Sequence, residues 1–311
     1  MDRREFIYRG GGLVASGMLL NFTPLNLFGN TNYPDLCKVK SSDYYTATMR
    51  AVHELGGIRK FVSPGSSVGF LINSAFEEPG TYSNPDIPLA LLFLCWEAGA
   101  KDIVMLQSVS EDYWRRSGLY AEHRFITNEI QQVKTNEFPS VYNEDEFRVQ
   151  GTIPGSIILK DIEIVKKISE VDVFINVPIL KHHATTILTG ALKNMMGLTS
   201  RKTNVDFHLG SGKRNDPEYL AQCIADLNLV RKPDLTVADA VEFITGNGPS
   251  GPGPLKKMDI VVAGTDPVAI DAFGAICIDM DPSDILTIEK GYELGIGEKD
   301  LSKLLVTEIQ V

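Results

Sequence analysis

Residues 171–178 read Val171-Asp172-Val173-Phe174-Ile175-Asn176-Val177-Pro178. β-Branched and aromatic side chains fall on both faces of this run. It therefore reads as a strand covered on both sides, and Pro178, which has no N–H, ends its ladder. Strands of this kind belong to parallel sheets, whose neighbours are joined by crossovers that are usually helical. The surroundings agree. Residues 235–238 and 260–263 read as buried strands and 217–230 as a helix. Pro267–Cys277 reads as a second helix, with Asp266 at its N-cap and Pro267 in its first position. Upstream, the pattern gives strands at 60–63, 102–107 and 157–160. Helices are expected at 45–55, 89–98, about 114–134, 162–169 and 186–198. This alternation predicts an α/β fold, layered, with a mixed, mostly parallel sheet flanked by helices.

Composition narrows the function. The chain has 311 residues, 43% apolar and 23% charged, which supports a sizeable core and rules out wholesale disorder. Forty acidic against thirty basic side chains give a net charge of −10. Such a field repels phosphate backbones, so no nucleic-acid partner is expected, while a local basic pocket for a small anion stays possible. Cys37, Cys95, Cys223 and Cys277 stand far apart, without a C-x-x-C pair. No complete iron–sulfur or zinc motif follows from them, no nucleotide fingerprint occurs, and reduced thiols are expected. The cofactor and any metal are left unassigned.

The chain opens Arg3-Arg4-Glu5-Phe6-Ile7, with a short apolar stretch diluted by Gly10, Gly11, Gly12 and Gly17. This resembles the twin-arginine export signal, and it falls short of the roughly 20 apolar residues a permanent span needs. The expected partition is a signal segment at 1–30, a linker at 31–45 and a single composite α/β domain at 46–311. The protein is expected to be exported to the periplasm or cell envelope, with the twin-arginine translocation machinery as partner.

Three stretches carry candidate chemistry. Beyond Pro178 come Lys181-His182-His183, then Thr189-Gly190 and Lys193-Asn194. They fall where ligands of α/β folds bind, past the carboxyl end of a strand. The start of the helix expected at 186–198 offers N–H groups to an anion, and Thr189 would share a face with Lys193. A basic loop follows, Ser200-Arg201-Lys202 with His208 and Lys213-Arg214, expected to act as a lid carrying cations. The third stretch, Gly246-Asn247-Gly248-Pro249, lets backbone approach a ligand closely. Asp239, at a strand end, is expected to pair with Lys181 or Lys193, and Asp266 and Asp271 stand near these elements.

Taken together, Asn176–Pro178, Lys181, His183, Thr189 to Asn194, Gly197 and His208 form an ordered set. It continues through Asp226-Leu227-Asn228, Pro233-Asp234-Leu235, Asp239-Ala240, Gly246 to Pro249 and Asp266 to Asp271. With it the chain resembles the domain of unknown function 362 family over about residues 150–300. The resemblance implies an α/β domain, which some members join to ferredoxin-like iron–sulfur modules, and it assigns no reaction. Relatives often carry Lys-Pro-Asn after the first strand, whereas this chain reads Ser63-Pro64-Gly65 and lacks appended cluster-binding cysteines.

The leading expectation is an enzyme acting on a small anionic substrate or cofactor. Lys181 and Lys193 would hold the anion, His183 would exchange a proton and His208 would act from the lid. Thr189, Asn194, Asp239, Gly246, Asn247, Gly248, Asp266 and Asp271 would complete the site. Redox, isomerisation and hydrolysis all stay open. The alternative is a non-catalytic ligand-binding or cofactor-maturation protein using the same pocket.

Overall fold

Residues 33–132 and 146–311 are described by the computed structural model, and the expected signal segment at 1–30 lies outside them. The first half runs β1 (Leu36–Lys40), α1 (Tyr44–Glu54), β2 (Ser67–Ile72), α2 (Asp86–Ala98), β3 (Asp102–Met105), α3 (Glu111–Trp114), α4 (Tyr120–Thr127) and β4 (Gln131–Gln132). Next come β5 (Phe147–Gln150), β6 (Ile162–Val165), β7 (Val173–Val177), β8 (Lys181–His183), β9 (Ile187–Thr189), α5 (Ala191–Asn194) and α6 (Arg201–Leu209). The chain closes with α7 (Pro217–Asn228), β10 (Leu235–Ile244), β11 (Leu255–Gly264), α8 (Pro267–Cys277), α9 (Leu286–Glu293) and β12 (Val306–Gln310).

The main sheet has the order β12-β1-β11-β10-β7-β2-β3-β4. Its pairs β1/β12, β7/β10, β2/β7, β2/β3 and β3/β4 are parallel, and only β11 runs against its neighbours β1 and β10. The sheet is thus mixed and mostly parallel, and helices flank it. Period-two alternation divides its side chains between two cores. Val68, Phe70 and Ile72 of β2 and Val173, Ile175 and Val177 of β7 join α1 and α2 on one face. Leu71 and Phe174 point the other way, into a core shared with α7 and α9. Each such side chain, fully buried, contributes roughly 1.5–3 kcal/mol. A third cluster packs Ala238, Ala240 and Phe243 of β10 against Ala269, Ile270 and Phe273 of α8. Cys37, Cys95, Cys223 and Cys277 are buried free thiols.

The order of connection places the site. From β2 the chain works outward through β3 to β4, returns to the other side of β2 as β7, and proceeds to β10. Crossovers therefore diverge between β2 and β7, and a crevice opens past the carboxyl ends of those two strands.

Several expected elements differ. The expected linker at 31–45 contains β1, held between β11 and β12, so the folded body begins at Pro34. The strand expected at 60–63 is displaced to β2, where Gly69 leaves room for Val171 and Leu106. Residues 157–160 do not pair. The N–H groups of Ile157, Ile158 and Leu159 all donate to Asp226 Oδ2, at 3.0, 2.7 and 3.0 Å, and the ladder forms one step later in β6. The helix expected at 186–198 is instead strand β9, the short α5 and a 3₁₀ turn at Met195–Leu198. Ile187 there holds φ at 62°, a left-handed conformation a β-branched residue rarely adopts and one no helix accommodates. The expected basic loop after Ser200 is the helix α6, whose Thr203 N–H donates to the N-cap Ser200 Oγ at 3.2 Å.

Candidate functional site

A cleft of about 510 Å³ occupies the crevice. Behind β2 it is lined by Asn73 and Phe76, and behind β3 by Gln107. Past β7 it is lined by Lys181, His183, Thr189, Lys193 and Asn194, from α6 by Arg201, Asn204 and His208, and from the 246–254 turn by Pro249. The charged residues of this lining are all basic, with no Asp or Glu among them.

The hairpin β8–β9 sets Lys181 directly opposite Thr189. Lys181 is fully buried. Its ammonium donates to Thr81 O and, at 2.8 Å, to Pro249 O, and lies 4.5 Å from the Phe76 ring centre. Burial, then the charge of Lys193, lowers its pKa to about 7. Thr189 is buried, and its Oγ1 finds no hydrogen-bond partner. A buried hydroxyl left unpaired costs about 1–3 kcal/mol, and Thr189 belongs to the cleft lining.

Lys193 stands on a fixed turn. Asp271 of α8 accepts the N–H groups of Ala191, at 2.5 Å, and of Leu192, at 3.1 Å. Asn176 Nδ2 donates to Ala191 O at 3.0 Å and Asn228 Nδ2 to Leu192 O at 3.0 Å. Asn194 Nδ2 reaches Asn176 Oδ1 at 2.7 Å and Leu71 O at 3.2 Å. Burial lowers the Lys193 pKa to about 8.

The two histidines differ. His183 Nδ1 accepts from Thr185 N at 3.1 Å and Thr186 N at 3.2 Å, which puts the ring proton on Nε2. Burial first, then Lys193, His208 and Lys181, push its pKa down to about 2. It is a fixed neutral donor at physiological pH. His208 Nδ1–H donates to Asn215 Oδ1 at 2.9 Å, leaving Nε2 with the lone pair, and burial lowers its pKa.

Lys181, His183, Thr189, Lys193, Asn194 and His208 thus line one cleft, and Asp239, Gly246, Asn247, Gly248, Asp266 and Asp271 stand outside its lining. Asp239 does not pair with either lysine. Its carboxylate accepts Asn84 N at 2.5 Å and Val241 N at 2.7 Å, and burial raises its pKa to about 7. Asp271 does not belong to the cleft lining but holds the N–H groups of Ala191 and Leu192 at the start of α5, and burial raises its pKa to about 7 as well. Asp266 caps α8 through Val268 N and Ala269 N and takes Glu298 N at 2.8 Å. Gly246, Asn247 and Gly248 shape the turn. Gly248 N donates to His182 Nδ1 at 3.1 Å, and a Cβ at Gly248 would run into the His182 carbonyl.

Comparison with known proteins places the chain. The family model "Domain of unknown function (DUF362)" matches residues 70–276. The chain belongs to this family. A thylakoid-associated protein of Synechocystis sp. is 26% identical over 254 residues, 80% of this chain and 75% of that one. Among solved structures, the lactate racemase apoprotein of Thermoanaerobacterium thermosaccharolyticum has a TM-score of 0.44 at 12% identity, over 69% of this chain and 53% of its own. A Thermotoga maritima protein has 0.43 at 10% identity, over 82% and 60%. This chain therefore spans little more than half the length of either.

In this DUF362 chain, Asn73, Phe76, Gln107, Asn204 and Asn215 also line the cleft and were not singled out from sequence. The signal for the first three was available, since they follow parallel strands on the side where ligands bind. Misplacing β2 hid it for Asn73 and Phe76, and extending the next strand to residue 107 hid it for Gln107. Asn204 and Asn215 needed α6 to be read as a helix. Among the described residues no group of three His, Cys, Asp or Glu has a metal-binding arrangement, and no helix is long and apolar enough to cross a membrane.

Proposed function

We propose that this DUF362 chain binds a small anionic molecule, a carboxylate or a phosphate, in the Lys/His cleft and acts on it by proton transfer. The observation that carries the reading is the all-basic charged lining of a cleft in a molecule of net charge −10. Buried cations without carboxylates are costly, and an incoming anion relieves that cost. Lys193 holds the charged end. Thr189 Oγ1 and His183 Nε2–H supply neutral donors, and Lys181, anchored on two carbonyls, adds positive potential while it is protonated, below about pH 7. Lys193 and His208 are the groups assigned to exchange a proton with the ligand, Lys193 with its pKa lowered to about 8.

A carrier that holds the anion without turnover is the second reading. It is favoured by the locked state of Lys181 and His183, which leaves few groups free to react. Residues 3–20 extend the proposal to export through the twin-arginine pathway; a reporter fused behind residues 1–45 should leave the cytoplasm, and Arg3→Lys with Arg4→Lys should retain it.

Isothermal titration with phosphate and small carboxylates tests the site. Binding should weaken at least tenfold in Lys193→Met, and in the wild type it should decline as pH rises above about 8, where Lys193 loses its proton. Equal affinity in wild type and variant would sink the proposal.

A further inference from the structure

Helix α6 presents two faces. Thr203 and Phe207, four residues apart, are buried and hold it to the body. Arg201, Asn204, Val205, His208 and Leu209 fall at i, i+3, i+4, i+7 and i+8, which is one stripe along the helix. Arg201, Asn204 and His208 of this stripe line the anion cleft. The same three residues, with Asn215, also line a second hollow of about 450 Å³, completed by Val205, Leu209 and Arg214. Val205 is 44% and Leu209 50% exposed, so packing of α6 on the body does not account for them. The two hollows share four residues and therefore adjoin along the helix.

We infer that the ligand of the cleft is an elongated amphiphilic anion, whose charged head sits at Lys193 and Arg201 and whose apolar tail lies along α6 on Val205 and Leu209. The inference rests on the anion reading of the cleft. A head group alone would leave the second hollow unused. Arg201 and Asn204 of the stripe flank the head, the two aliphatic residues meet the tail, and Arg214 completes the lining of the second hollow. From Arg201 to Leu209 the helix rises about 12 Å, a length that a chain of roughly eight carbons spans.

The test is a series of n-alkyl phosphates with two, four, six and eight carbons, titrated below their micellar concentrations. In the wild type, affinity should rise about twofold to fourfold per added methylene as the tail reaches the helix. In Val205→Ser with Leu209→Ser, both exposed and outside the cleft lining, ethyl phosphate should bind as before and the chain-length dependence should flatten. A flat series in the wild type, or the same slope in wild type and double variant, overturns the tail while the cleft still binds anions. Octyl phosphate bound equally well by Lys193→Met overturns head and tail together, as does a series in which nothing binds.

Discussion

Thr189 and Asp271 separate binding from architecture. The Thr189 hydroxyl is buried and unpaired in a residue of the cleft lining, whereas both Asp271 oxygens hold the backbone that carries Lys193. Replacing an unpaired hydroxyl by a methyl group of similar shape is near neutral for folding. Thr189→Val should therefore keep or slightly raise the melting temperature while weakening anion binding several-fold in titration. Asp271→Asn has one acceptor oxygen where two are used, so one N–H is orphaned. It should destabilise the fold by about 1–3 kcal/mol in chemical denaturation and weaken binding as well, because the Lys193 turn loosens. Gly190 belongs to the same arrangement: any Cβ there would strike the Asp271 carboxylate. The sequence showed both residues as members of an ordered motif. It could not show that Asp271 binds backbone rather than ligand, since that depends on α8 packing against α5.

At the scale of elements, local chemistry was legible where one residue type decides a boundary. Asp266 with Pro267 starts α8, Asp216 with Pro217 starts α7, and Gly99, in the left-handed region, ends α2. It was not legible where a distant group overrides propensity. Asp226, 67 to 69 residues away, captures three N–H groups at Ile157–Leu159 and removes a strand the side-chain pattern favoured. His183 Nδ1 likewise takes the N–H groups of Thr185 and Thr186, so a turn forms where a helix start was expected. The same reasoning yields a test for the 246–254 turn, which reaches the site only through Pro249. Gly248→Ala would push this turn away from the His182 carbonyl and loosen the Lys181–Pro249 contact. A drop in melting temperature of several degrees should follow, with weaker anion binding. An unchanged melting temperature would mean that the turn docks less tightly than its geometry indicates.

For the whole molecule, the parallel sheet and its divergent crossovers explain why a chain of net charge −10 concentrates cations in one place. The carboxyl ends of β2, β3 and β7 share one edge, and the loops leaving them bring Lys181 and Lys193 into a low-dielectric crevice without a counter-charge. Such a site is built at the expense of stability. The sign follows from linkage. Lys193 has its pKa lowered from 10.5 to about 8, so between those values the unfolded chain binds a proton that the folded chain has released. The folded state therefore gains stability as pH rises through that window, and below about 8 it bears the cost of a half-buried ammonium. Lys193→Met removes the charge and keeps most of the stem. At pH 7 without added anion, it should be more stable than wild type by roughly 2 kcal/mol, after allowing for screening by water in the cleft. The difference should close as pH climbs from about 8 toward 10.5. Saturating anion should narrow it at pH 7 too, because the ligand binds, and so stabilises, the wild type more strongly than the variant. Urea denaturation of both proteins at pH 7 and pH 10, with and without phosphate, measures all of these differences. A variant less stable than wild type at pH 7 would show that the Lys193 ammonium holds the fold together instead of waiting for a ligand.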